Sequence, residues 1–588
     1  MSDGMGFTAE QKQYLEGFLS GLGRKIAVPG GAIAAPAAAV DGPEDIHRVA
    51  QARFIAAGRR LAPEEVAKRR KDPFAMWDEI RENSAAGRFP KGTDIFLHKF
   101  HGLFYVAPAQ DSFMCRLRMP GGILSATQLA GLADAAERFG GGYADVTTRA
   151  NLQIREIASA HAADLLMTIQ ELGLTSRGAG ADNVRNVTGS PTAGIDTQEL
   201  IDTRPLTRAL HHHILNHREL YGLPRKFNIA FDGGGQVAVL EDTNDIGFAA
   251  VAVDDGEAVA AGIYFRLLLG GITGHGDFAR DTGVLLAPEE CLDVAVAILR
   301  VFITHGDRTD RKTARLKYLL DRWGLDQFLA ETEALLPFKL RRLPLAACRP
   351  RAAQLKHAHL GIHAQRQDGL SYIGVVLPIG RLSAAQMRGL AATAARHGSA
   401  TLRLTVWQNL IVSDIPATAL AEAKAEIAAL GLGWTASHLR GGLVACTGNA
   451  GCKFSATDTK GHAVTLATRL DARLAVDQPL NIHLTGCPHS CAQHFIGDIG
   501  LLGMRVPAGE DTIEGYAVSV GGGAGEQRRL GREIWPAVLA AELPDRVETM
   551  LRAYLAERHP GESFQDFSQR HSIDDLKALF GTAQTAAA

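Results

Sequence analysis

The chain has 588 residues, too many for one hydrophobic core, so several domains are expected. With 62 Lys and Arg against 64 Asp and Glu, the formal net charge is −2. That balance argues against a global nucleic-acid or membrane-surface role, and no apolar run reaches the roughly 18 residues of a membrane span.

In chain order, the N-terminus MSDGMGFTAEQKQYLEGFLSGLGRK lacks a charged start followed by an apolar core. It reads as a short amphipathic helix and not as an export signal. Residues 26–44, rich in Ala, Gly and Pro, read as a linker, and 44–88 as charged helical sequence. From about residue 100, strand-like and amphipathic helical stretches alternate, the pattern of α+β layers.

An internal repeat follows, in which residues 120–154 align without gaps to 378–412. Pro120, Gly122, Leu124, Ser125, Gln128, Gly131, Arg138, Gly140, Thr147, Asn151 and Leu152 recur as Pro378, Gly380, Leu382, Ser383, Gln386, Gly389, Arg396, Gly398, Thr405, Asn409 and Leu410. Each copy reads as a strand, a turn, a helix capped by Ser125 or Ser383, and a second strand. Two such copies predict a pseudo-twofold protein with a site between its halves.

Between the copies, His211-His212-His213 with His217 suggests metal, but only His213 and His217 share a helix face and no carboxylate or cysteine accompanies them. A solvated or packing role is expected. FDGGGQ (231–236) reads as a hairpin turn. No GxGxxG follows a strand, so electrons should come from a separate carrier. The runs KRRK (68–71) and KLRR (339–342) could dock an acidic protein.

Seven cysteines in so long a chain do not make a disulfide scaffold, and a reducing, cytoplasmic setting is expected. Cys115, Cys291 and Cys348 have no partner spacing. The other four form CTGNAGC (Cys446, Cys452) and CPHSC (Cys487, Cys491). Two close pairs in turn-rich sequence suggest four thiolates on one centre, either zinc or an iron–sulfur cluster. The Gly-rich spacer would let backbone amides approach the sulfurs.

Taken together, the Cys-Thr-Gly-x-x-x-Cys and Gly-Cys-Pro-x-x-Cys motifs and the duplicated segments TTRANLQIRE (147–156) and TVWQNLIVSD (405–414) resemble the siroheme-dependent nitrite and sulfite reductase family, over roughly residues 95–505. The resemblance is greatest to the ferredoxin-dependent nitrite reductases. It implies a duplicated α+β fold with two ferredoxin-like halves and two larger catalytic lobes. The expected division is an N-terminal helical segment and linker (1–95), half 1 (96–170), a siroheme and anion-binding lobe (171–345), half 2 (346–425) and a second lobe with the cysteines (426–588).

The same resemblance implies a [4Fe–4S] cluster on Cys446, Cys452, Cys487 and Cys491, with Cys491 bridging to the siroheme iron. Siroheme is rich in carboxylates, and Arg149, Asn151, Gln153, Gln408, Asn409, Arg308 and Arg315 are its candidate partners. The turn SVGGGAGE (519–526) is a further possible cofactor contact. For the substrate anion the family motifs point to Arg185, Lys226 and Asn228, and to Arg116 or Arg118, between which the sequence does not choose. The implied reaction is six-electron reduction of nitrite to ammonium by reduced ferredoxin, in a monomer without nucleic-acid or membrane partners. Lys-x-Asn at 226–228, where Lys-x-Lys would suit dianionic sulfite, favours monoanionic nitrite. Sulfite reduction on the same scaffold, a precorrin-3B synthase-like activity and a haem or iron–sulfur carrier or sensor are the alternatives.

Overall fold

A computed structural model describes residues 45–256 and 258–582. The amphipathic helix and the linker expected over 1–44 lie outside the described residues.

Each copy of the repeat builds the same unit. Ser125 caps the helix Ala126–Phe139 and Ser383 caps Ala384–His397, and both caps are reciprocal, with Gln128 and Gln386 returning a bond to the cap N–H. Such a cap contributes about 1 kcal/mol to its helix. The short strand before each helix does not join its own half. Ile123–Ser125 pairs with Thr401–Leu404, and Arg381–Ser383 pairs with Tyr143–Val146. Each half therefore has a five-stranded sheet whose edge strand comes from the other half.

The crossing requires close backbone approach. Gly122 and Gly380 have φ of 74° and 70°. A Cβ on Gly122 would stand 2.6 Å from the Leu404 carbonyl, and one on Gly380 2.8 Å from that of Val146. Only glycine meets both demands. The two helices share one apolar core, with Leu129, Leu132, Ala133 and Ala136 clustered with Met387, Leu390, Ala391 and Ala394. Each fully buried leucine there contributes about 1.5–3 kcal/mol.

Two further sheets form separate lobes with their own cores. The first lobe has six strands in the order Arg341–Arg342, Arg280–Leu286, Gly262–Leu269, Ile246–Val253, Phe227–Asp232 and Val184–Gly189. Its last three strands run parallel. FDGGGQ therefore opens a crossover between parallel strands and is not the hairpin turn expected from sequence, because Phe227–Asp232 pairs in parallel with Ile246–Val253. The second lobe runs Leu443–Ala445, Ile482–Thr485, Ile499–Ala508, Asp511–Val520, Arg532–Leu539, the first three parallel.

The helical segment before the first half straps both neighbours. Met76 and Ile80 join the core of the halves, while Ile46 and Phe74 pack on that of the first lobe. Among the described residues no helix is long and apolar enough to cross a membrane.

Candidate active site

The cysteine motifs lie at the ends of two adjacent parallel strands. Leu443–Ala445 runs into Cys446 and Ile482–Thr485 into Gly486-Cys487, and the Cys446 N–H donates to the Leu484 carbonyl at 3.0 Å. Parallel pairing thus delivers both loops to one edge of the sheet, as it does for ligand sites in other open α/β sheets. All seven cysteines are free thiols. The Gly486 N–H, which lies outside the Cys446–Cys452 spacer, donates to Cys446 Sγ at 3.2 Å. Burial first, then the charges of Cys491, Cys452 and Cys446, push the Cys487 thiol up to about 12. The four thiols thus lie within electrostatic reach of one another. Among the described residues no three His, Cys, Asp or Glu side chains converge as ligands of a single ion would.

The halves meet this edge through the turn Thr147–Asn151. Thr148 Oγ1 donates to the Cys491 carbonyl at 2.9 Å. Next to it stand four cations. Arg116 ends the strand Ser112–Arg116 with its guanidinium 4.5 Å from the Phe104 ring centre. Arg149 donates to Asn244 Oδ1 at 3.0 Å, and the Asn228 amide, with its orientation assigned so that both of its ends find partners, accepts from Arg149 Nη2 at 2.8 Å. Arg185 is held by the carbonyls of Ala179 and Ala181 at 2.6 and 2.7 Å. Among the described residues no carboxylate pairs with Lys226. Burial, then repulsion from Arg315, push it down to about 7 despite the attraction of Cys491. Burial likewise brings Arg116 and Arg149 down to about 10, and Arg185 well below the usual arginine range, each worsened by the other arginines. Cys491 is the thiol that draws on Arg116, Arg149 and Lys226 together. Asp245 offsets Arg149 and Asp182 offsets Arg185 only in part, and the remaining excess of positive charge calls for bound anions.

The other candidates separate. Arg118 turns away from the cysteines and gives its Nη1 to the Val184 carbonyl at 2.8 Å, beside Tyr221. Arg315 lies next to the site, yet its Nε and Nη2 grip Asp245, at 3.1 and 2.7 Å, and Asp245 also accepts the Asn228 N–H. Arg308 is drawn elsewhere, to Glu65 at 2.7 Å and the Ile303 carbonyl at 2.9 Å. Asn151, Gln408 and Asn409 spend their amides on backbone. Asn151 holds Leu117 and Leu152, Gln408 holds both the N–H and the carbonyl of Ala445, and Asn409 holds Leu377 and Trp407. These three brace the turns of the repeat, and Gln408 spends both amide donors on backbone. Gln153 accepts from Arg155 at 2.9 Å.

Arg155 was not singled out from sequence. It is buried, pairs with Asp145 at 2.7 Å, and donates to Thr447 Oγ1 at 2.5 Å, so it pins the loop that carries Cys446 and Cys452. Its place two residues after Gln153, on the same strand face, was the available signal. It lines a cavity of about 560 Å³ with Tyr143, Glu156, Arg381, Thr447 and Gly451. Of the glycines of SVGGGAGE, Gly521 and Gly523 face the helix Phe564–Arg570, where a Cβ on Gly523 would meet Gln565 at 2.0 Å, and Gly522 lies against the carbonyls of Phe495 and Gly497. His213 and His217 stack at 3.7 Å, as their shared face predicts. The basic runs are partly engaged, with Arg69 and Arg70 exposed. Lys68 is buried, Lys71 pairs with Glu79 and Asp94, and Lys339, Arg341 and Arg342 pair with Glu333, Glu290 and Asp326.

Behind the cations, Asp182 is fully buried and receives both terminal nitrogens of Arg311, at 2.7 and 2.8 Å. Burial alone would raise its pKa, but Lys68, Arg311 and Arg225 bring it from 3.8 down to about 2. A carboxylate depressed in the folded state stabilises above its unfolded pKa and loses that contribution as pH falls through the folded one. Asp182 should therefore supply about 2 kcal/mol that disappears between about pH 4 and pH 2. Asp182→Asn is expected to lower stability at neutral pH and to flatten the acid-unfolding curve over that window. Parallel acid curves for the two proteins would refute the assignment.

Comparison with known proteins agrees with this architecture. The family sequence model described as nitrite and sulphite reductase 4Fe-4S domain matches residues 180–340 and 439–585. The one described as nitrite/sulfite reductase ferredoxin-like half domain matches 106–172 and 363–430. The chain belongs to the nitrite and sulfite reductase family and is an oxidoreductase, with the ferredoxin-like halves carrying the exchanged strands. Among its relatives, a ferredoxin–nitrite reductase of Synechococcus elongatus is 35% identical over 518 residues, covering 86% of this chain and 98% of that one. A ferredoxin sulfite reductase of Mycolicibacterium paratuberculosis is 32% identical, covering 79% and 83%. The solved structure of the Mycobacterium tuberculosis NirA protein superposes with a TM-score of 0.82 at 29% identity, over 89% of this chain and 98% of that one.

Proposed function

We propose that the protein reduces nitrite to ammonium, a six-electron reaction, at a siroheme coupled to a [4Fe–4S] cluster, with reduced ferredoxin as donor. The observation that carries this reading is the cluster of half-buried and buried cations near Cys491, Arg116, Arg149, Arg185 and Lys226, none of which forms an ion pair among the described residues and which Asp245 and Asp182 offset only in part. The residues fit both groups. Cys446 and Cys487 leave one sheet edge, and Cys452 and Cys491 follow in the same loops within electrostatic reach of Cys487, which suits a cluster. The cations suit a tetrapyrrole rich in carboxylates together with an anionic substrate. Cys491, the thiol nearest the cations in charge, is the one suited to face both centres.

When bound, the coupled pair supplies the electron storage that a multi-electron reduction needs. The chain supplies binding and protons. Lys226 and Arg185 would draw the anion in and steady charge as it develops on oxygen. An ammonium brought to about 7 by burial can also release and regain a proton near neutral pH. Around the Cys487 loop, Phe454, Pro488, Met504 and Pro536 line an apolar depression of about 450 Å³, a short route by which a docked carrier could reach the cluster.

Sulfite is the competing substrate, as a relative named a sulfite reductase makes plain. Asn228 supports nitrite, because its neutral side chain accepts from Arg149 where a lysine would set one buried cation against another. Steady-state assays with reduced ferredoxin or methyl viologen should give a higher kcat/KM for nitrite than for sulfite. In Asn228→Lys the ratio should move toward sulfite by about tenfold, roughly 1.4 kcal/mol of transition-state preference. Wild-type protein that favours sulfite would sink the nitrite reading.

A further inference from the structure

Helix Pro63–Arg70 takes no part in the chemistry above, yet one of its side chains reaches the foundation of the anion site. Lys68 belongs to the run KRRK, which reads as surface charge in the sequence. In the structure it turns inward, its side chain only 7% exposed. Its ammonium pairs with Glu65 one turn back in the same helix, and it reaches three further oxygens outside that helix. These are the Leu223 carbonyl at 2.8 Å, the Gly222 carbonyl at 3.2 Å and Asp182 Oδ2 at 3.4 Å.

Those three oxygens belong to two loops. Asp182 precedes Arg185 by three residues and Leu223 precedes Lys226 by three. The loops lead into the neighbouring parallel strands Val184–Gly189 and Phe227–Asp232, which begin their pairing at Val184 and Phe227. One ammonium therefore spans the point where the two strands that present Arg185 and Lys226 start. Asn183 stitches the same loops from the other side, its Oδ1 accepting the Gly222 N–H at 2.9 Å and its carbonyl the Phe227 N–H at 3.1 Å.

The chemistry suits a lysine. A compact ammonium has three rotatable donors and can serve carbonyls and carboxylates arranged around it, whereas a planar guanidinium has a fixed fork. The arginines nearby are already committed, Arg311 to Asp182 and Arg308 to Glu65. Without Lys68, two carbonyls lose a charged donor and two buried carboxylates a counter-charge. The loops would then be free to settle elsewhere.

We propose that Lys68 is a positioning residue of the anion site, a clasp that holds the loops before Arg185 and Lys226 in register so that both cations address one small anion. This rests on the functional reading above. It gives the helical segment Asp45–Ala85 a task in substrate binding, although no residue of it joins the cations beside Cys491.

The test uses the full-length, cofactor-loaded protein and its Lys68→Met and Lys68→Gln variants. Nitrite and sulfite are titrated against the absorption spectrum, with carbon monoxide as a neutral ligand that needs no cation. Hydrogen exchange is followed in peptides covering 179–186 and 221–228. Both anions should bind about tenfold more weakly or worse, in keeping with the large cost of misplacements on the order of 1 Å. Carbon monoxide affinity and cofactor content should be unchanged, and the two peptides should exchange faster. If Lys68→Met does not fold, Lys68→Gln, which keeps a donor for the Leu223 carbonyl, decides the question. A variant that keeps its cofactors and binds both anions as wild type does overturns the proposal, even if its Tm has fallen. Wild-type protein that binds neither anion overturns the functional reading and this proposal with it.

Discussion

Cys491→Ser is expected to disturb two spectroscopic signatures at once and to reduce nitrite turnover to background. The other three cysteines should matter for the cluster alone. The difference follows from position. Cys446 is turned into the sheet edge, its sulfur accepting from the Gly486 N–H. Cys491 is exposed, and its neighbours are the cations Arg116, Arg149 and Lys226. Its backbone is fixed by Thr148 from the first half, so the substitution should not unfold the loop. Serine is close in size but a poor ligand for a soft iron–sulfur centre. The measurement is absorption and electron paramagnetic resonance of the purified variant beside Cys446→Ser. Loss of the cluster with an unperturbed haem band in Cys491→Ser would contradict the shared-ligand role.

Lys226→Met should carry the second-largest effect, a fall in kcat/KM for nitrite of about 10²–10³, the usual scale for a donor aimed at developing oxyanion charge. Methionine nearly preserves volume, so cofactor content should be retained. The pH dependence supplies an independent readout. A lysine is charged below its pKa, and anion binding favours the charged form. In the wild type, nitrite affinity should therefore fall as pH rises through a limb beginning at about 7 or above, since carboxylates bound nearby would raise the lysine. In Lys226→Met that limb should be missing. A variant that keeps the limb would show that another group sets it, and one with wild-type kcat/KM would remove Lys226 from the site.

Much of this site was legible in the sequence because its signals are local. The cysteine motifs are short and contiguous, and the parallel strands that precede them bring the loops together. The repeat was visible because glycine turns and Ser–Gln caps leave marks within a few residues, and both caps form as read. The exchange of edge strands was not visible, since a three-residue strand pairs by register and nothing local says with which half.

Arg116 and Arg118 show the same limit. Residues two apart on an unbroken strand share a face. The strand ends at Arg116, however, and Arg118 pairs with Thr175 in an isolated bridge, its side chain turned to the carbonyl of Val184. Arg308, Arg315 and Lys68 look alike as charges in polar runs. One joins Glu65, one grips Asp245 and one clasps the loops of the anion site, with most of these partners 70 to 243 residues away.

The sequence by itself marked the four cysteines as a candidate ligand set and determined the duplication and the family, because each is written in residues close together in the chain. Only the tertiary structure decided which cations stay unpaired beside Cys491 and which are consumed by internal carboxylates. A buried charge is free or spent according to what the chain brings back to it from far away, and that is a property of packing.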